Sequence, residues 1–264
     1  RCRLDARGAP TALAAIATGI ASRTGKTVAP QLSEAVSLAI SKLTALLPTT
    51  SSSLQDQLRC VADICRIPIT DSDRDTVISA VTAVISRAAP HDTETRRLSV
   101  HCLGRALTFP SSTPASLRVL QIACDMLVAC SADPSAGKLL SSALRAAHAS
   151  LSWIPSASLP APLASSLARI AFRLCLRGGI PGAPAAPFDP LLDTEMSDAG
   201  VVFHGASSSF RRRTGDERAQ LSALKCIQSL ATVGARHLQP LWSLVIADAP
   251  DASCIVALLV RHPD

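Results

Sequence analysis

Three arginines recur at a four-residue interval, Arg169, Arg173 and Arg177, and an Arg-Arg-Arg-Thr run follows at Arg211, Arg212, Arg213 and Thr214. On a helix the first three share one stripe, off the face formed by Leu163, Leu167, Ile170 and Leu174. Lys138 and Arg145 precede them, and no acidic residue lies between Asp133 and Asp189. Arg145, Arg169, Arg173 and Arg177 are therefore the candidate partner-binding residues. A basic ridge fits an acidic or extended protein segment and, in second place, nucleic-acid phosphate. No aromatic residues are interleaved to stack bases, which favours the protein partner. The plain alternative is a solvated helix face. Arg211 to Thr214 resembles the substrate context of basophilic kinases. A phosphate on Thr214 would lie near the start of the next helix, where negative charge is stabilised. A solubilising linker cluster is the plain reading there.

Other residue types with reactive potential are poorly placed for it. Gly19 and Gly25, followed by Lys26-Thr27, enclose five residues, whereas a P-loop needs four between its glycines and a strand before them. Here a helical run, Leu13 to Ile20, comes first, so a glycine-containing turn at a helix end is expected. Cys60 and Cys65 have zinc-compatible spacing, but no second pair follows. Cys124 and Cys130 do not share a helix face. The six histidines are scattered, with no His-Glu-x-x-His and no Gly-x-Ser-x-Gly. We expect no catalytic residue, no metal site and no cofactor.

These residues must be positioned by helices. Of the 264 residues, 48% are apolar, 44 are Ala and 32 are Ser, with only seven aromatic side chains and neither Tyr nor Asn. That apolar content excludes a disordered chain. The scarcity of aromatic residues argues against a sandwich or barrel, while Ala and Leu favour helix. The net charge of +6 permits an acidic partner without requiring one. Twenty-two of the 26 basic residues are Arg, a bias that a GC-rich coding sequence would also produce.

Helical periodicity recurs along the chain. Leu32, Val36, Ile40, Leu43 and Leu47 share one face, as do Val77, Ile78, Val81, Val84 and Ile85. Leu140, Ala143, Leu144, Ala147 and Leu151 repeat the pattern, and so do Ala219, Ala223, Cys226, Ile227 and Leu230. Pro, Ser, Thr and Asp punctuate the breaks. Helix starts are predicted near residues 10, 31, 54, 73, 94, 114, 135 and 160. A beat of about 20 residues per helix is about 40 per hairpin, the period of HEAT and armadillo arrays. One hairpin cannot bury its own apolar face, and stacking buries a continuous core. A globular bundle is the alternative arrangement of the same helices.

Residues 178–216 break the beat with six Gly and four Pro. A 39-residue segment without periodicity is expected to be a long flexible loop. The organisation read from the sequence is helical repeats over 1–177, this loop over 178–216, and helices continuing the array over 217–264. No apolar run of about 18 residues stands uninterrupted, so no membrane span is expected. Eight of the nine cysteines fall inside periodic segments, as buried thiols do. Reduced core cysteines point to an intracellular protein, cytoplasmic or nuclear.

The segment Asp216-Glu217-Arg218-Ala219-Gln220-Leu221-Ser222-Ala223-Leu224-Lys225-Cys226-Ile227, the helix bearing Trp242, and the ending Leu258-Leu259-Val260-Arg261-His262-Pro263-Asp264 resemble the conserved domain of the HEAT repeat-containing protein 6 family. Arg218, Leu224, Cys226, Ile227, Leu230, Trp242, Leu258, Leu259 and Pro263 fill positions of that pattern, whereas His262 stands where the family tends to have Asp. The likeness is strongest over 216–264. The resemblance implies an intracellular HEAT-like α-solenoid acting as a scaffold or adaptor, in which Arg218 and Trp242 serve repeat packing. In HEAT repeats an Asp and a following Arg often tie adjacent repeats, and Asp92 with Arg96 or Arg97 would do so here. The expected architecture is therefore an all-α, HEAT/armadillo-like α-solenoid of antiparallel helical hairpins.

Overall fold

The computed structural model describes residues 30–47, 54–131, 133–176 and 215–239. Among the described residues there are eight α-helices and short 3-10 turns, with no strand. The helices are α1 (Pro30–Leu46), α2 (Leu54–Ile64), α3 (Asp71–Arg87), α4 (Thr93–Ala106), α5 (Thr113–Cys130), α6 (Gly137–Leu151), α7 (Ala161–Leu176) and α8 (Gly215–Val233). Their starts follow the predicted beat to within a few residues. α8 opens at Gly215, so its first turn takes in the last two residues assigned to the loop. The helix expected near residue 10, the rest of the loop and the Trp242 helix lie outside the described residues.

The punctuating residues act as caps. The Thr70 hydroxyl accepts the Asp73 amide at 3.1 Å and donates to the Asp73 carboxylate at 2.7 Å. Asp92 accepts the Thr95 amide at 3.0 Å and so caps α4. Ser112 caps α5, in which Pro114 sits in the first turn, where its missing N–H costs nothing.

The helices pack in two rows. α2, α4, α6 and α8 follow one another in one row, and α1, α3, α5 and α7 in the other. Each odd helix also lies against the even helix that follows it. The shared core is continuous, from Val36 and Ile40 through Leu58, Val77, Leu103, Leu120, Leu144 and Phe172 to Ala223 and Leu230. Side chains at the expected helical faces fill it: Leu140, Ala143, Leu144, Ala147 and Leu151 are all buried, as are Leu163, Leu167, Ile170 and Leu174.

Small residues let the even row close up. A Cβ on Gly104 of α4 would lie 3.2 Å from the Ala146 Cα of α6. The Cys102 thiol donates to the Leu58 carbonyl of α2 at 2.9 Å, and the Cys226 thiol donates to the Leu144 carbonyl of α6 at 2.9 Å. Hydroxyls join α6 to α8, with Ser141 and Ser222 3.2 Å apart and His148 Nδ1 2.7 Å from the Ser229 Oγ. In the odd row, Ser37 of α1 donates to Asp73 of α3 at 2.6 Å, and Arg118 of α5 donates to Ser79 of α3 at 3.2 Å.

α5 is, among the described residues, the one helix long and apolar enough to cross a membrane by length and composition. Half of that window is buried, with Val119, Leu120, Ala123 and Leu127 in the core. Arg118, Gln121 and Asp125 occupy its exposed side. It packs as a core helix against α6, α7 and α3.

Candidate interaction surface

α7 owes its orientation to its apolar face, which sends Leu163, Leu167, Ile170 and Leu174 into the core. The residues left outward include Arg169 and Arg173, both exposed. They line an open hollow of about 420 Å³ between α5 and α7. Ser165 and Ser166 lie beside them, and Val128 and Ser131 form the α5 wall. Val128 is 58% exposed. Among the described residues no acidic side chain lines this hollow, and neither arginine makes an ion pair or hydrogen bond with another of them.

The candidate basic residues do not all meet. Arg145 lies on α6, in the other row, and lines a different hollow with His101 and Arg105 of α4 and with Thr108 just beyond it. Arg145 and the Arg169–Arg173 pair are therefore parts of two surfaces. Arg177, Arg211, Arg212, Arg213, Thr214 and Trp242 lie outside the described residues. Arg218 sits on the first turns of α8, where its carbonyl is 3.5 Å from the Ser141 hydroxyl of α6. A third hollow, between α1 and α3, carries Ser41, Thr44, Asp75 and Ser79 and has no basic lining residue.

The residues expected to tie repeats make local contacts. Asp92 caps its own helix, Arg96 reaches the Pro90 carbonyl at 3.3 Å, and Arg97 pairs in a forked geometry with Glu94 at 2.7 Å. An ion pair between neighbouring even-row helices joins Glu94 to Arg59 of α2, at 3.8 Å. Glu94 is held below the usual carboxylate range, first by the Arg97 hydrogen bond, then by the charges of Arg97 and Arg59, against the opposing effect of burial. The likeness to HEAT repeats drew attention to Asp92; an Asp just before a helix meets amides of its own first turn.

Arg74 is the charged group that periodicity passed over. It is 2% exposed, donates to the Ala106 carbonyl of α4 at 2.9 Å and pairs with Asp71. It thereby satisfies a carbonyl that the end of α4 leaves unpaired.

The seven described cysteines are free thiols; all but Cys60 are buried. Burial pushes Cys65, Cys124 and Cys175 up to about 12, and Cys102 and Cys226 also well above the ordinary thiol value. Such groups are poor nucleophiles and poor ligands at neutral pH. Among the described residues no three of His, Cys, Asp and Glu converge in a way that could hold a metal ion. Gly19 to Thr27 lies outside them. No family model, curated protein or solved structure matches the chain.

Proposed function

We propose that the chain is a HEAT/armadillo-like α-solenoid acting as a non-catalytic scaffold or adaptor for another protein. The observation that carries this reading is the two-row packing, in which each helix lies against the next but one in sequence. Stacked hairpins give this pattern; a bundle around one axis would also bring helices distant in sequence together, whereas the main contacts here join helices no more than two apart. The beat of about 40 residues per hairpin supports the same reading, as does the resemblance of 216–264 to the HEAT repeat-containing protein 6 family. Such stacks leave the outer side of each row as an extended surface, which suits a partner larger than a small ligand. The buried free thiols fit an intracellular setting.

The test is affinity capture with the full chain as bait, followed by reconstitution from purified components. A partner that re-forms a complex of fixed stoichiometry is expected. Salt-sensitive retention of RNA or DNA without a protein that reconstitutes would replace this reading with that of a nucleic-acid-associated array. Turnover of a small substrate by the purified chain would overturn the non-catalytic reading.

A further inference from the structure

The geometry points to the hollow between α5 and α7 as a docking groove for an extended acidic segment of a second protein. We propose that the segment carries carboxylates at alternate positions and an apolar side chain beside them. This rests on the scaffold reading and names the chemistry of the partner.

Spacing carries the first part. Arg169 and Arg173 are one helical turn apart, which is about 6 Å along α7. An extended chain places side chains on one edge every second residue, about 6.6 Å apart. Two carboxylates at positions i and i+2 of an extended segment therefore reach both guanidiniums together. An extended segment also leaves its own backbone N–H and C=O groups free to pair across the groove.

Charge and polarity carry the second part. The two guanidiniums are exposed, have no acidic neighbour in the hollow and make no ion pair with a described residue. A carboxylate arriving there need not displace a described residue, and forked guanidinium–carboxylate hydrogen bonds are among the stronger ones. On the opposite wall Val128 is 58% exposed, the most exposed of the large apolar side chains among the described residues. It offers the contact for the segment's apolar residue. Ser165 borders the groove with a hydroxyl that can meet a peptide backbone. No aromatic side chain lines the hollow to stack a base, so single-stranded nucleic acid is the less suited occupant.

The probe is the labelled peptide acetyl-Leu-Asp-Ser-Asp-Ser-Ser-amide, titrated with the full chain by fluorescence polarisation. Its isomer acetyl-Leu-Asp-Ser-Ser-Asp-Ser-amide has the same charge and the wrong spacing. The first should bind several-fold more tightly than the second. Arg169→Glu with Arg173→Glu should weaken binding by about tenfold or more, since two exposed ion pairs are lost and two repulsions gained. Val128→Ser should weaken it by about threefold, in keeping with a partly exposed apolar contact. Arg145→Glu, in the other hollow, should leave it unchanged, and circular dichroism of each variant verifies the fold. Lack of saturable binding at about 1 mM peptide, equal affinity for the two isomers, or an equal loss with Arg145→Glu overturns the proposal. Tighter binding of an RNA oligomer through the same arginine pair also overturns it. The chain's own Asp193 and Glu195 follow Leu191 and Leu192 with the same spacing. A several-fold gain in probe affinity on Asp193→Asn with Glu195→Gln would assign the groove to that segment, and so overturn the assignment to a second protein. A reconstituted protein complex that survives the Arg169→Glu and Arg173→Glu changes would leave the scaffold reading standing and remove only the groove.

Discussion

The Cα of Ala146 on α6 lies 3.2 Å from the place a Cβ would occupy on Gly104 of α4. A carbon at that place would stand 3.4 Å from the Ala146 Cβ and 3.5 Å from its backbone nitrogen. The partner atoms are mostly backbone, so the helices themselves would have to part. Gly104→Leu should therefore lower stability by about 1–3 kcal/mol, the usual range for overpacking. For Gly104→Ala, better helix propensity of about 1 kcal/mol opposes the crowding, and the net change should stay within about 1 kcal/mol. Urea unfolding of the two variants checks both expectations. A Leu variant as stable as the parent would mean that α4 and α6 do not approach this closely.

This contact shows what the sequence made legible and what it did not. The faces of α3, α6 and α7 were readable because burying an apolar stripe needs a period near 3.6, and side chains such as Val77, Leu144 and Leu167 keep that period without interruption. Helix starts were readable because Thr70, Asp92 and Ser112 are capping types placed just before apolar runs. Gly104 was not readable as a contact point, because one small residue inside a helix carries no information about which helix crosses it. The Arg169–Arg173 pair was visible as a stripe, since four-residue spacing on one helix is a local property. Its separation from Arg145 was not visible, because the row a helix joins depends on tertiary packing. Val128 was hidden for a similar reason: an apolar residue one position past Leu127 reads as core until the neighbouring helix is placed.

Arg74 and Asp71 form an ion pair whose members sit in very different surroundings. The Arg74 side chain is 3% exposed and that of Asp71 72%. Removing Asp71 leaves Arg74 its bond to the Ala106 carbonyl, so Asp71→Asn should cost less than about 1 kcal/mol, as exposed partners do. Arg74→Met keeps much of the volume but leaves the Ala106 carbonyl unpaired in the interior, a loss of about 1.5–3 kcal/mol for a charge-assisted bond. Chemical denaturation should rank the two variants in that order. Equal losses would show that the surface pair, and not the bond between α3 and α4, holds the guanidinium.

The thiols should divide by accessibility. Cys60 is half-buried, and the other six described cysteines are buried. Burial, with smaller contributions from Asp63 and Asp56, raises Cys60 above the ordinary thiol value, but Cys65, Cys124 and Cys175 stand higher, at about 12. Alkylation follows the accessible thiolate. Brief iodoacetamide treatment of the native chain at pH 8, mapped by mass spectrometry, should label Cys60 first among these seven. Labelling of Cys102 and Cys226 should need denaturant, because their thiols are engaged with the Leu58 and Leu144 carbonyls. Native labelling of Cys226 ahead of Cys60 would show that α8 opens away from α6.

His148 should make stability pH-dependent. Burial, and secondarily the charge of Lys225, holds its imidazole below the usual value of 6.5. The ring sits between α6 and α8, 2.7 Å from the Ser229 hydroxyl. A histidine whose folded value is depressed is protonated first in the unfolded chain. Below about pH 6.5 the unfolded state then binds more protons, and stability falls as pH falls. The contribution of His148 is fully present above 6.5 and is lost on descending through the lower folded value. Urea midpoints measured from pH 7.5 down to 5 should therefore drop for the parent chain. His148→Gln keeps a polar group near Ser229 without titrating, and its midpoint should fall less over the same interval. An identical fall in both chains would place the pH sensitivity on another group and leave His148 accessible to solvent in the folded state.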